Sequence, residues 1–199
     1  IISIPCGVTH PEVLAHSNKP LTKVEDFKGL KYRAPGWWGE ILKGMGVAVT
    51  MLPGTELYPS LEKGVLDATE FSSPLVNKQQ GFHEVTKYVA GPGMHQPTCF
   101  FEVGFNKDKY NALPNEYKAM LQTVWSWSYG TVEDMKILKE WKAKGEILTR
   151  VDDKSQLEFR KQAYAWLDND VKKKNNAHYT KCWESVKKFY QDFVEFEHF

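Results

Sequence analysis

Short apolar segments alternate with helix-forming segments through the first half of the chain, and this alternation constrains the fold more than any other feature. Strands are predicted at Ile1–Cys6, Lys31–Ala34, Val47–Leu52, Leu66–Phe71 and Lys87–Ala90. Helices are predicted between them, at Trp37–Met45, Thr55–Glu62 and Ser73–Phe82. Strands that alternate with helices in this way predict an α/β sheet with crossover helices.

The second half of the chain is predicted to be mostly helical. One more strand is expected at Cys99–Phe105, and apolar residues then recur at three- and four-residue steps after Pro114, which predicts one long amphipathic helix ending near Gly145. A short strand at Ile147–Val151 precedes a tail without strand signals. One face of that tail carries large apolar residues and is expected to be buried on its own domain or on a neighbouring chain. These residues are Trp183, Val186, Phe189, Tyr190, Phe193 and Phe196.

Composition and charge exclude several classes of partner. The 26 Lys and Arg residues balance 25 Asp and Glu residues, so there is no net field that would attract nucleic acid or an acidic membrane. No apolar run approaches the ~18–20 residues that span a bilayer, and no signal-peptide pattern is visible. Cys6, Cys99 and Cys182 are an odd number without metal-ligand spacing, which favours scattered thiols.

Arg33 stands at the predicted end of a strand, just before Pro35-Gly36 and the start of a helix. Open α/β sheets bind their ligands at this edge. A guanidinium there offers a rigid, always-charged fork that can hold a carboxylate through two parallel hydrogen bonds. A surface ion pair is the ordinary interpretation of an isolated arginine, so position alone does not decide between the two.

A series of motifs around and after Arg33 favours the binding interpretation. The motifs are Arg33-Ala34-Pro35-Gly36 with Gly39-Glu40, Leu52-Pro53-Gly54-Thr55-Glu56-Leu57-Tyr58-Pro59-Ser60-Leu61, Gly64-Val65-Leu66-Asp67-Ala68-Thr69-Glu70-Phe71 with Pro74, and Met94-His95-Gln96-Pro97. In this order and spacing the chain resembles the solute receptors of TRAP transporters, the tripartite ATP-independent periplasmic carriers. It is most similar to the branch that binds 2-oxo and 2-hydroxy acids. The resemblance extends to about residue 170 and implies that the N-terminal part of such a receptor is lacking.

The resemblance implies a two-lobed α/β protein of the periplasmic binding type II-like class, with one lobe near complete, the other partial, and long C-terminal helices. Residues 1–69 and 110–150 would form the second lobe, 70–109 a partial first lobe, and 151–199 a C-terminal helical segment. The protein would be a periplasmic receptor and not an enzyme. It would bind a small organic acid and deliver it to the permease subunits in the membrane. If the apolar face of the tail is buried on a neighbouring chain and not on its own domain, the protein would form a homodimer through its C-terminal helix.

The resemblance also implies which residues bind the ligand. Arg33 would hold the carboxylate of the acid, while Glu70, the main-chain carbonyl of Phe71 and Gln96 would hold a cation, Ca²⁺ or Na⁺. The family typically has Trp where this chain has Phe71, which keeps the carbonyl but lacks the indole N–H. Trp37 would either form an apolar wall of the pocket or pack against the sheet.

Glu12 is the main departure from the family pattern, because 2-oxo acid receptors carry at that place a Gln that ligates the cation. A second carboxylate beside Glu70 would favour a divalent cation such as Ca²⁺ over Na⁺, since affinity rises with ligand charge. Alternatively, the site has changed and Glu12 points outward. The sequence leaves both interpretations open.

Two other functions are weighed against the receptor. One is an enzyme with an α/β cleft, for example a hydrolase that uses Cys6 with His10, although no Gly-x-Ser-x-Gly elbow, P-loop or dinucleotide fingerprint is present. The other is a truncated remnant without a competent cleft. His10 and His95 lie near the predicted cleft, but their spacing gives no support to a transition-metal site.

Overall fold

The computed structural model describes residues 1–124 and 131–197, apart from the side chains of residues 124, 131, 132 and 192–197. The chain divides into a first compact unit, Ile1–Asp152, and a second that begins at Asp153. The strands of the first unit are β1 (Ile2–Val8), β2 (Ala15–Ser17), β3 (Lys31–Arg33), β4 (Ala48–Thr50), β5 (Ala68–Thr69), β6 (Tyr88–Gly91), β7 (Phe100–Phe105) and β8 (Ile147–Arg150). Its helices are α1 (Gly36–Gly44), α2 (Leu57–Glu62), α3 (Pro74–Gln79), α4 (Phe82–Val85), α5 (Lys107–Asn111), α6 (Asn115–Val124) and α7 (Thr131–Ala143).

Six of these strands form one mixed sheet in the order β4-β3-β5-β2-β6-β8. Strand β3 runs parallel to both β4 and β5, and β6 runs parallel to β8. Strand β2 is antiparallel to its neighbours β5 and β6. Strands β1 and β7 form a separate antiparallel pair. Every strand predicted from the sequence is present within a few residues of its expected bounds.

The observed elements depart from the predicted ones at β2 and in the segment 73–82, and a third prediction lies partly outside the described residues. Strand β2 was not predicted, because it is only three residues long and two of them, His16 and Ser17, are polar. The helix predicted over 73–82 is two short helices, α3 and α4, separated by Gly81 in a left-handed conformation (φ 74°), which ends the first helix. The single long helix predicted after Pro114 lies partly outside the described residues, since α6 and α7 flank 125–130.

The predicted division into lobes stays a prediction. In the structure, β6 falls within the range 70–109 that was assigned to the first lobe. It is hydrogen-bonded between β2 and β8 in the six-stranded sheet, together with the strands of the range 1–69.

Buried apolar clusters support the sheet. One joins helices α2 and α4 through Leu57, Leu61, Leu66 and Phe82. Another packs α7 against β6 through Val13, Val89, Ile137 and Trp141. Because both clusters are almost fully buried, they hold the strand ends that carry the candidate site in fixed positions.

The second unit is a pair of helices, α8 (Asp153–Lys174) and α9 (Ala177–Glu197), separated at Asn175 in a left-handed conformation (φ 45°). Trp183 of α9 is buried and its Nε1 donates to Asp168 of α8 (2.7 Å). Val186 and Phe189 of the same face are 52% and 69% exposed in the single chain, so burial of the whole face on its own domain is not observed and burial on a neighbouring chain stays a prediction. The side chains of residues 193 and 196 lie outside the described part.

Candidate functional site

The parallel pairing of β3 with β4 and β5 brings three strand ends to one edge of the sheet, and Arg33 ends the middle strand. Arg33 is buried, and it donates from Nε to the carbonyl of Leu52 (3.3 Å) and from Nη1 to the carbonyl of Glu70 (2.8 Å). Its guanidinium lies 5.6 Å from the ring centre of Phe71. Arg33 therefore links the segments that follow β4 and β5, through a forked geometry that lysine does not have.

Glu70 directly follows β5, and its N–H donates to the carbonyl of Arg33 (3.0 Å), which extends the strand pairing to the edge. Its side chain is 5% exposed. The oxygen Oε2 lies 3.8 Å from Nη1 of Arg33 and has no hydrogen-bond partner in the described part of the chain. A buried carboxylate is costly unless paired or hydrogen-bonded. Glu70 is thus a candidate ligand for a cation.

Glu12 is held against the loop 92–97 by its main chain. It forms an isolated antiparallel bridge with Gly93, and its N–H donates to the carbonyl of Gln96 (3.1 Å). This approach requires glycine, because a Cβ on Gly93 would lie 2.1 Å from the carbonyl oxygen of Glu12. The side chain of Glu12 is 10% exposed and faces His95, so it does not point outward.

His95 completes a cluster with the two carboxylates. Its Nε2 lies 3.4 Å from Oε2 of Glu12 and 3.7 Å from Oε1 of Glu70, and one ligand atom from each of the three residues lies within 4.8 Å of the others. The ring is stacked on Trp38, with centroids 5.4 Å apart and planes inclined by 19°. Burial by itself lowers the pKa of His95, but Glu12 and Glu70 outweigh burial and raise this pKa above its ordinary value.

A cavity of about 300 Å³ adjoins the cluster. It is lined by Pro35, Gly36, Trp37, Trp38, Glu70, His95 and Gln96. Trp37 is 52% exposed and forms an open wall of this cavity. Arg33 is not among the described residues that line this cavity. It is connected to the cavity indirectly, because its Nη1 donates to the carbonyl of Glu70, which is a lining residue. A larger cavity of about 670 Å³, lined by residues of the segment 10–13 and of β6, β8 and α7, shares only Glu12 with the cluster.

The structure thus brings together most of the residues selected from the sequence. Arg33, Glu70, Phe71 and Glu12 are in contact or linked through one neighbour, and Gln96 and Trp37 line the same cavity as Glu70. The ring of Phe71 also packs edge-on against Phe82, at 5.5 Å between centroids, which connects the site to the core. His95 was not selected as a site residue, because its approach to Glu12 depends on a bridge between distant segments. The sequence signal that could have identified His95 as a site residue is its position directly before Gln96-Pro97.

The donor set of this cluster fits a cation. Two carboxylates and an imidazole offer oxygen and nitrogen ligands that lie close enough to share one ion, and Gln96 lines the adjoining cavity. Both ring nitrogens of His95 and Oε2 of Glu70 are buried and lack hydrogen-bond partners within the described residues. Such atoms are rare in folded proteins and call for a partner that the protein itself does not supply.

Comparisons of sequence identify the relatives of the chain. The family model of the bacterial extracellular solute-binding protein, family 7, matches residues 12–126, which is more than half of the chain. The monocarboxylate 2-oxoacid-binding periplasmic protein of Nostoc sp. is 33% identical over 153 residues, which are 76% of this chain and 40% of the relative. The sialic acid-binding periplasmic protein SiaP of Vibrio cholerae is 37% identical over 76 residues, which are 37% of this chain and 23% of the relative.

Solved structures of TRAP periplasmic solute-binding proteins share the fold. The protein from Colwellia psychrerythraea, with bound calcium and pyruvate, has a TM-score of 0.78 and 24% identity, and the match covers 98% of this chain and 61% of that chain. The protein from Pseudoalteromonas atlantica, with bound sodium and pyruvate, has a TM-score of 0.76 and 24% identity, covering 98% of this chain and 60% of that one. The predicted α/β fold of the periplasmic binding type is confirmed. This chain spans less than two thirds of these proteins.

The matches also decide between receptor and enzyme. The family and its structural neighbours are solute-binding receptors of TRAP transporters, not enzymes, so a hydrolase built on Cys6 of β1 and His10 is set aside. No helix in the described ranges 1–124 and 131–197 has both the length and the apolar character needed to cross a membrane. With residues 12–126 matched by its family model, the chain belongs to the bacterial extracellular solute-binding protein family 7, the receptors of TRAP transporters.

Proposed function

We propose that this chain is the ligand-binding part of a periplasmic receptor that holds a 2-oxo or 2-hydroxy monocarboxylate and delivers it to the membrane subunits of a TRAP transporter. The observation that carries the proposal is the buried convergence of Glu12, Glu70 and His95 beside Arg33, at the edge of the sheet where such folds bind ligands. Structural neighbours with bound pyruvate and a calcium or sodium ion support it.

Electrostatics explains why the acid and a cation would bind together. Glu12 and Glu70 are two buried carboxylates, and the acid would add a third negative charge close by. At an effective dielectric constant near 20, two unit charges about 4 Å apart interact by roughly 4 kcal/mol. Arg33 offsets only part of this repulsion. A cation, Ca²⁺ or Na⁺, held by Glu70, Glu12, Gln96 and the carbonyl of Phe71 would offset the rest and would also attract the acid.

Arg33 has two roles in this proposal. It fixes the main chain of Glu70, to whose carbonyl it donates, and its remaining N–H groups stabilise the carboxylate of the acid. Trp37 forms an apolar wall of the cavity that would hold the rest of the ligand. The proposed homodimer would form through the apolar face of α9 that the single chain leaves exposed at Val186 and Phe189.

The test is calorimetric titration of the chain with pyruvate, lactate and longer 2-oxo acids, with and without added calcium. Hydrogen bonds to charged groups contribute roughly 1.5–3 kcal/mol, so Arg33→Lys is expected to weaken binding about tenfold to a hundredfold. Arg160→Lys makes the same chemical change in α8 and serves as the matched control, which should bind as the wild-type chain does.

Equal affinity of Arg33→Lys and the wild-type chain would contradict the role of Arg33. Absence of binding to every acid, by a chain whose circular dichroism shows that it is folded, would instead favour the remnant without a competent cleft. Full affinity in excess chelator at low sodium would contradict the cation and would leave the carboxylate to Arg33 alone.

A further inference from the structure

The imidazole of His95 is a ligand that calcium and sodium do not favour. Hard cations of this kind take oxygen ligands, whereas imidazole suits zinc and other first-row transition metals. Ligand atoms in a tetrahedral zinc shell, with bonds of about 2.1 Å, lie about 3.4 Å apart. The distances from Nε2 of His95 to Glu12 and Glu70, 3.4 and 3.7 Å, are close to that spacing.

The three ligands are held in place by their surroundings. Trp38 stacks on the ring of His95 and limits its rotation. The bridge between Glu12 and Gly93 fixes the two main chains on which Glu12 and His95 stand. Glu70 is fixed by its main-chain hydrogen bonds with Arg33. A site whose ligands are positioned before the ion arrives loses little entropy on binding it.

A proton on His95 would be the alternative source of positive charge between the carboxylates. Charge-assisted hydrogen bonds between nitrogen and a carboxylate are about 2.7–2.9 Å long. Both distances from Nε2 are longer than this, and neither ring nitrogen has a hydrogen-bond partner in the described part of the chain. The distances from Nε2 to the two carboxylates are therefore too long for direct charge-assisted hydrogen bonds, and they fit three ligands placed around one ion.

We propose that Glu12, Glu70 and His95 bind one divalent transition-metal ion, such as Zn²⁺, in preference to Ca²⁺ and Na⁺. Three protein ligands leave at least one coordination position open, and the carboxylate of the organic acid would occupy it. The assignment of the open position to the organic acid rests on the proposed function, because the metal ion is the cation of that same site.

The experiment uses the chain freed of metal with a chelator and then titrated with Zn²⁺, Ca²⁺ or Na⁺ by calorimetry, without any organic acid. Zn²⁺ is expected to bind at least tenfold more tightly than Ca²⁺. Loss of groups that support a metal site typically costs about 10–100-fold in affinity, so His95→Gln should weaken Zn²⁺ binding by at least tenfold. The same variant should not weaken Ca²⁺ binding, because the glutamine replaces an imidazole nitrogen with an amide oxygen, which is a donor that Ca²⁺ prefers. His178→Gln, at an exposed position of α9, is the matched control and should bind Zn²⁺ as the wild-type chain does.

A second measurement needs no variant. In NMR spectra of the wild-type imidazole groups, one equivalent of Zn²⁺ should shift the signals of the histidine that is stacked on Trp38. Equal affinity for Zn²⁺ and Ca²⁺, unchanged Zn²⁺ binding in a folded His95→Gln, or shifts confined to other histidines would each overturn the inference. Pyruvate is titrated separately. Zn²⁺ binding through His95 without binding of pyruvate, lactate or any longer 2-oxo acid would support the metal site and contradict the proposed function.

Discussion

Acid is expected to unfold the first unit of the chain through His16, which stands at the centre of the six-stranded sheet. This side chain is fully buried between Phe82 and Trp141, with ring centroids 5.7 and 5.1 Å away. Neither of its ring nitrogens has a hydrogen-bond partner among the described residues. Burial, with a smaller contribution from the charge of His83, lowers the pKa of His16 to about 3.

The size of the effect follows from the difference between the folded and unfolded states. In the unfolded chain His16 has its ordinary pKa of about 6.5, so between about pH 6.5 and 3 the unfolded state binds more protons. The free energy of unfolding therefore decreases as the pH falls, by about 1.4 kcal/mol per pH unit. Between about pH 6.5 and 4 the loss is about 3 kcal/mol, a large part of the roughly 5–15 kcal/mol by which small domains are stable. The pKa of His83 is also lowered by burial, so its contribution has the same sign.

His16→Leu removes the titrating group at similar volume. Urea unfolding at several pH values between about 7 and 4, followed by circular dichroism, should show that this variant loses about 3 kcal/mol less than the wild-type chain over the range. His178→Leu replaces an exposed histidine of α9 and should keep the wild-type dependence. If His16→Leu unfolds with the same dependence on pH as the wild-type chain, the reasoning is refuted.

Two further predictions concern the site and the assembly. Gly93→Ala should reduce the free energy of unfolding by about 1–3 kcal/mol and weaken cation binding, because its Cβ would lie 2.1 Å from the carbonyl oxygen of Glu12. Gly44→Ala, in a helix and with open space around the new methyl group, should be neutral or stabilising, and equal stability losses in the two variants would contradict this account. If α9 forms a homodimer, Phe189→Gln should lower the mass measured by light scattering, whereas Lys188→Gln should not. A wild-type chain that is already monomeric would exclude the dimer.

The site edge of the sheet could be predicted because local signals fix it. The Pro35-Gly36 dipeptide marks the end of the strand that carries Arg33 and the start of α1. The observed bounds of β3 and α1 differ from the predicted bounds by one residue. Glu70 follows its strand in the same way. Since both strands are parallel, the position of each residue at a strand end is enough to bring the two side chains to one edge.

Strand β2 and His95 could not be predicted, because both depend on contacts between distant segments. Strand β2 contains His16 and Ser17 and has neither the apolar run nor the alternation that indicates a strand, yet it pairs on both sides and is fully buried. His95 reaches the site only because Gly93 allows the loop to approach Glu12. The direction of the Glu12 side chain could not be predicted for the same reason, because no local sequence pattern indicates it.

The role of Arg33 in the structure differs from the role that the sequence suggested. The sequence suggested Arg33 as a fork that grips the acid, but two of its N–H groups are donated to the carbonyls of Leu52 and Glu70. With His95 neutral, as a metal ligand must be, the positive charge of Arg33 balances only one of the two carboxylates, Glu12 and Glu70, that face the site. On the proposed function, a divalent ion balances the second carboxylate and the carboxylate of the acid together, whereas a monovalent ion leaves one negative charge in a buried place. The acid and the divalent ion should therefore strengthen each other's binding, by the same factor in either order of addition.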